Sequence, residues 1–266
     1  KKNNLPLVFS WFTNHSGGAY GGDTFWDLIG REFGVTNHKH YKDAGNSNLS
    51  QQLRNKGVKA EILTEEQMDF ARQKVKELLG VSYKNDLKGN LQVRNFYQVY
   101  NAEAVYTVAK LNSDNKSVNG GTNTAIQLGI KLNKPVYVWD INSEQWYEFN
   151  GEIFEKTETP TLTANFAGVG SRDIENYNVQ KDGKWQPREQ YVGKEKEEKA
   201  KQAIRDVYKK SVNTKVFSDK KEEFSWSRTS PNSYEVSSAG DKRFSALFAK
   251  LKDGRTIEEA YQLDVK

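Results

Sequence analysis

Three short runs carry residue types suited to holding an anion: Ser16-Gly17-Gly18-Ala19-Tyr20-Gly21-Gly22-Asp23, Gly120-Gly121-Thr122-Asn123-Thr124 and Gly168-Val169-Gly170-Ser171-Arg172. Glycine lets the backbone come close to a ligand, hydroxyls add donors, and the unpaired N–H groups of a helix start favour negative charge. Arg94, followed by Asn95, interrupts an otherwise apolar and aromatic segment. Near such a loop its guanidinium could clamp a phosphate through two parallel bonds; it could equally pair with a surface carboxylate. His38 and His40 alternate along one predicted strand face, with His15 the one other histidine. That pattern reads more readily as a polar strand face than as a metal site, and no metal is predicted.

The elements that must position these residues follow from the apolar pattern. Ala104–Ala109 and Pro135–Trp139 are β-branched and aromatic runs of the kind a strand covered on both faces requires. Between them Ala125, Leu128, Gly129 and Leu132 recur at helical spacing, so this stretch reads as one strand–loop–helix–strand crossover of a parallel sheet. Leu5–Phe12 is predicted as a strand leading into the first glycine run, followed by a helix over Thr24–Phe33. Val35–Tyr41 is a further strand and Asp43–Ala60 a long loop. Thr64 with Gln67 forms a capping box for a helix that Gly80 closes, and Leu91–Asn101 is a second helix. Gln145–Phe149 is placed near the sheet edge. Asn165–Arg172 is a third strand ending in glycines, and a polar stretch delays its helix to Lys194–Lys210. Three strands thus end in Gly/Ser/Thr loops, and in a parallel sheet such loops meet at the carboxyl ends as one cleft. The alternative is three independent sets of structural glycines.

The 266-residue chain suits one large domain, or one with a small appendage. Its lack of cysteine excludes disulfides and thiolate metal sites and agrees with a cytoplasmic protein. No apolar run approaches the roughly 20 residues that span a bilayer, and no secretory leader precedes the first strand, so no membrane partner is expected. The chain begins without Met and ends within a helical pattern, which suggests a trimmed fragment. Residues 1–180 carry 20 basic and 20 acidic side chains, so the whole net charge of +5 lies beyond them. It occurs there in mixed runs such as Lys194–Lys201, more typical of a solvated helix face than of a nucleic-acid patch.

At this point the motifs resemble those of the SLOG superfamily, the Rossmann-like group that includes the lonely-guy phosphoribohydrolases and DNA-processing protein A. Ser16–Asp23 is similar to its SGGAxGAD loop, Gly120–Ala125 to its GGT-x-T-A loop, and Gly168–Arg172 to its glycine-Ser-Arg loop. The last normally ends the family's first strand but comes last here, so the chain resembles a circularly permuted member, as in phage-type proteins built on this domain. The resemblance implies an α/β fold: a three-layer Rossmann-like domain with a mainly parallel sheet over residues 1–210, of which 163–210 supply the permuted first strand and helix. Residues 211–266 would form a small α+β appendage. If the permutation holds, the Phe166–Val169 strand lies inside the sheet beside the Leu7–Phe12 strand.

The resemblance also implies a ligand. Ser16, Gly17, Gly18, Ala19, Arg94, Asn95, Gly120, Gly121, Thr122, Asn123, Thr124, Gly170, Ser171 and Arg172 would surround a nucleotide-derived small molecule. The lonely-guy branch cleaves N-glycosidic bonds with a loop glutamate, which Gln127 replaces here, while Arg94 can stand for that branch's arginine. An amide cannot act as a carboxylate base, so Asp23 or Asp140 would have to supply one; Asp140 could equally cap the next turn. Two functions stay open: an enzyme acting on a nucleotide's glycosidic bond, and a non-catalytic sensor or sponge for a signal such as a cyclic ADP-ribose isomer. Single-stranded nucleic-acid binding is a third. No cofactor is implied; a homo-oligomer is compatible with the fold, and a phage-encoded chain would work in the host cytoplasm.

Overall fold

The middle strand β4 (Ala104–Ala109) is buried along its whole length and feeds two separate cores. Ala104, Tyr106 and Val108 face one core, and Val105 and Ala109 the other, the period of two that a central strand must show. In this computed structural model residues 9, 11–43, 49–213, 225–230 and 233–237 are described. Eight strands form the main sheet, in the spatial order β3 (Glu61–Leu63), β2 (Asn37–Asp43), β1 (Thr13–Ser16), β8 (Asn165–Gly170), β4, β5 (Val136–Asp140), β6 (Gln145–Phe149) and β7 (Phe154–Thr157). Neighbours from β3 to β5 pair parallel, and β6 and β7 add an antiparallel hairpin at one edge. The chain is therefore α/β and Rossmann-like, with helices on both faces.

Helices α1 (Gly22–Glu32) and α7 (Lys194–Asn213) cover one face, where Trp26, Ile29, Ile204 and Tyr208 pack on Tyr106 and Phe166. Helices α3 (Glu65–Leu79), α5 (Asn95–Tyr100) and α6 (Thr122–Lys131) cover the other, against Val105, Val136, Val138 and Ala167. The capping box forms as predicted: Gln67 N–H donates to Thr64 Oγ1 (3.2 Å) and Thr64 N–H to Gln67 Oε1 (2.8 Å). Gly80 closes the helix at φ 69°. The predicted Leu91–Asn101 helix is two short helices, α4 (Leu87–Val93) and α5, joined by Arg94 in helical conformation. A short helix, α2 (Gln51–Asn55), lies in the predicted long loop, and a hairpin of β9 (Asn178–Lys181) and β10 (Lys184–Pro187) fills the polar stretch before α7.

One predicted element is displaced. The first strand is Thr13–Ser16, after the apolar run rather than within it, while Phe9 and Phe12 pack into the α1/α7 core and meet at 4.8 Å between ring centroids. The polar run Thr13-Asn14-His15-Ser16 can be a strand because its buried side chains Asn14, His15 and Ser16 all have partners. Asn14 Oδ1 accepts from Gly168 N–H (3.1 Å), Ser16 Oγ from Gly18 N–H (3.3 Å), and His15 Nδ1 bonds Tyr41 OH (3.0 Å). Burying polar side chains costs little once they are paired. Strand β8 lies inside the sheet between β1 and β4.

Beyond α7 the described residues form the antiparallel pair β11 (Ser225–Ser230) and β12 (Ser233–Ser237). The appendage's predicted final helix at Thr256–Glu259 and its basic pair Lys242 and Arg243 lie outside the described residues. Among the described residues no helix is long and apolar enough to cross a membrane.

The histidines divide by face. In the β1–β2 register Ser16 pairs with His40 and Asn14 with His38, so His15 projects from the opposite side. His40 Nε2–H donates to Asp27 on α1 (2.6 Å), and His38 lies 3.3 Å from the same carboxylate. Burial pulls both His15 and His38 down to about 4. Their ordinary value is near 6.5, so between that pH and about 4 the unfolded chain binds protons that the folded protein refuses. Stability should therefore fall on acidification through this window, each histidine adding a slope of up to about 1.4 kcal/mol per pH unit. Urea unfolding at a series of pH values should show a smaller slope for His15→Gln than for wild type; equal slopes would refute the assignment.

Candidate functional site

At the carboxyl ends of β1, β8 and β4 the chain leaves toward different faces of the sheet. The helices after β1 and β8 join one core and the helix after β4 joins the other. That divergence opens a crevice of about 420 Å³. All three predicted loops border it, through Ala19, Tyr20 and Asp23 from the first, Gly120, Gly121 and Thr122 from the second, and Gly170, Ser171 and Arg172 from the third. Arg94 and Asn95 form part of its wall.

Asp23, in the first turn of α1, ties two of these loops together. Its Oδ2 accepts from Gly17 N–H (3.1 Å) and Ala19 N–H (3.4 Å), and Oδ1 accepts from Gly170 N–H (3.2 Å). Burial pushes this carboxyl up from the usual range, opposed by the Arg94 guanidinium and by the backbone donors. The glycines permit the approach. A Cβ at Gly22 would lie 2.8 Å from Gly170 N, and Gly21, at φ 87°, has Arg172 Cα where a Cβ would come within 2.7 Å. Gly21 N–H in turn donates to Glu175, whose other oxygen accepts from Gln52 Nε2 (2.8 Å).

Arg94 is buried rather than presented at the surface, with only 5% of its area exposed. Its Nη1 donates to Gly17 O (2.7 Å) and Tyr41 O (2.8 Å), fixing the first loop to β2. One arm of the predicted phosphate clamp is thus already committed to backbone. Its Nε is buried without a hydrogen-bond partner among the described residues, as is Nε2 of Gln98, one helical turn further on. Leu91, Arg94, Asn95 and Gln98 all line the crevice, the i, i+3, i+4, i+7 stripe of a continuous helical path.

Other predicted residues lie behind the wall. Ser16, Gly17 and Gly18, which open the first loop, are buried. Asn123 Oδ1 accepts from Val118 N–H (3.2 Å), and Thr124 Oγ1 donates to Gln92 Oε1 (2.7 Å). Asp140 does not line the crevice. Its Oδ1 accepts from Leu111 N–H (2.9 Å) and Oδ2 from Ser143 N–H and Oγ (2.8 and 2.7 Å), the turn-capping alternative. Gln127 donates to Lys116 O (3.2 Å), also away from the crevice. Among the described residues no cluster of three or more His, Asp or Glu could hold a metal ion.

Several lining residues escaped sequence reading. Gln92 and Gln98 sit on helices that read as core, and their only signal is an amide at an otherwise buried position. Tyr177, Val179 and Arg188 come from the insertion around β9 and β10, and Arg54 from α2. Arg188 is held by Asp173, while Arg172 has no carboxylate or hydrogen-bond partner among the described residues. Four arginines and two aspartates line the crevice, so its field favours an anion. No family model, curated protein or solved structure matches the chain.

Two substitutions test this architecture. Arg94→Met leaves the Gly17 and Tyr41 carbonyls unpaired and removes the charge facing Asp23. It should lower unfolding free energy by about 3–5 kcal/mol in urea titrations. A loss below ~1 kcal/mol would show that the arginine is not integral to the loop. Gly22→Ala forces a Cβ into the Gly170 backbone and should cost about 1–3 kcal/mol by the same measurement; a neutral result would contradict the close approach.

Proposed function

We propose that the crevice binds a nucleotide or a nucleotide-derived signal, with its phosphates toward the Gly120–Thr122 turn and Arg172. The observation that carries this reading is a set of donors without acceptors around one crevice. Arg172 is unpaired among the described residues, and the buried Arg94 Nε and Gln98 Nε2 have no partner there. Arg172 is exposed at the crevice and can pair with a phosphate through charge-assisted bonds, while Arg94 Nε and Gln98 Nε2 are enclosed behind the wall and meet a ligand acceptor only if the wall shifts. The volume falls in the range of small-molecule sites. At the start of α6 the Asn123 and Thr124 N–H groups are already bonded to Gly120 O and Gly121 O, so the Thr122 N–H and the helix dipole are what this wall offers an anion. The resemblance of the three loops to SLOG loops supports the same class of ligand.

Binding without cleavage fits the side chains better. Asp23 already accepts three amide hydrogens, Asp173 is paired with Arg188, and neither Asp140 nor Gln127 lines the crevice. Cleavage of an N-glycosidic bond is the second reading. It is favoured by one feature, a carboxyl at the crevice wall, Asp23, that burial pushes up from its usual range against the opposing Arg94 and backbone donors.

A thermal-shift panel of nucleotides, dinucleotides and cyclic ADP-ribose isomers tests the main reading. A ligand at 100 times its Kd should add about 2.7 kcal/mol of stability. No shift across the panel would refute nucleotide binding. Mass spectrometry of the ligand released after long incubation separates the two readings. Intact ligand is the expected result; the free base together with the ribose product would establish the glycosidase.

A further inference from the structure

Tyr20, in the loop after β1, and Tyr177, leading into β9, both line the crevice and stack with ring centroids 4.0 Å apart and planes 10° from parallel. Isolated aromatic pairs usually settle at 4.5–7 Å in offset or edge-to-face arrangements, because eclipsed rings repel through their quadrupoles. This pair is stacked face to face, with neighbouring contacts on both sides. Thr24 Oγ1 donates to Ala19 O (2.7 Å) beside Tyr20. On the other side, Asp173 holds Arg188, whose guanidinium lies 5.9 Å from the Tyr177 ring centre. The two phenol hydroxyls have no hydrogen-bond partner among the described residues. Each ring spends one face on the other and Arg188 lies over Tyr177, so what the pair offers a ligand is an outer ring face and two hydroxyls at the crevice.

We propose that the Tyr20–Tyr177 pair is the platform on which the ligand's planar base stacks. This inference rests on the nucleotide reading and extends it: the site selects for an aromatic base as well as for phosphate. Stacking on aromatic side chains tolerates every base, since each has a π-face. Discrimination among bases would fall to the two hydroxyls and the Gln92 and Gln98 amides.

The test is isothermal titration calorimetry with AMP, GMP, CMP and UMP, each compared with ribose 5-phosphate, which lacks the base. At least one nucleoside monophosphate should bind ten or more times tighter than ribose 5-phosphate. Tyr177→Leu and Tyr20→Leu should each weaken that nucleotide tenfold to a hundredfold, the usual contribution of one base–aromatic stack. Both should leave ribose 5-phosphate within twofold, and Tyr177→Trp should retain tight nucleotide binding. Wild-type protein binding ribose 5-phosphate as tightly as every nucleotide would overturn the platform while leaving an anion site intact. Leucine variants that stay folded and lose no nucleotide affinity would overturn it too. Failure of all five probes to bind would overturn a mononucleotide platform, and together with no thermal shift for dinucleotides or cyclic ADP-ribose isomers it would bring down the nucleotide reading itself. If a leucine variant fails to fold, the wild-type comparison together with Tyr177→Trp and Tyr20→Trp, which keep an aromatic face, decides the matter.

Discussion

The crevice depends on one buried carboxylate. Asp23 gathers amide hydrogens from Gly17, Ala19 and Gly170, which belong to loops more than a hundred residues apart in the chain. Arg94 sits on the far side of the same loop and holds Gly17 O and Tyr41 O. A Cβ at Gly17 would lie 2.7 Å from Arg94 Cζ and 2.8 Å from Asp23 Oδ2, so the two charges grip the glycine between them. Neither charge could be buried alone, because an unpaired ion in a low-dielectric interior costs several kcal/mol. Together, and saturated with backbone hydrogen bonds, they become a brace that sets the distance between two walls of the site.

The brace works because the sheet leaves room above it. Strands β8 and β4 lie side by side and parallel, yet the helices that follow them join opposite cores. The loops must part, and the ends of both strands face open space. The hydrophobic work is done lower down by Tyr106, Phe166, Trp26 and Tyr208 on one face and by Val105, Val136 and Ala167 on the other. With stability secured there, the loops can carry unpaired donors that a minimal fold would not retain.

The insertion between β8 and α7 gives the crevice its remaining wall. It is polar and contributes little to either core, but it delivers Tyr177, Val179 and Arg188 to the opening. Glu175 anchors its start by accepting from Gly21 N–H and Gln52 Nε2. Burial pushes this carboxyl up, with the two donors opposing, so the insertion is fastened to the first loop through a second enclosed acid.

Apolar periodicity by itself determined much of this protein. The runs at Ala104–Ala109 and Pro135–Trp139, the capped helix after Thr64 and the long helix from Lys194 are legible because burial on two faces, or on one helical stripe, leaves a pattern that few other arrangements share. Strand-to-glycine transitions also indicated where the loops would gather. Polar local sequence hid the rest. Thr13–Ser16 became a strand because Gly168, Gly18 and Tyr41 supply partners from distant segments, and no local pattern encodes those partners. Arg94 reads in sequence as a clamp or a paired arginine and Asp140 as an acid or a turn cap, and the backbone groups that each one bonds are positioned only by the folded sheet. Gln98 reads as an ordinary helix residue until the crevice forms beside it. Residue types set which chemistry is available; tertiary structure decided which of those groups remain free, because a hydrogen bond needs its partner in space and not in sequence.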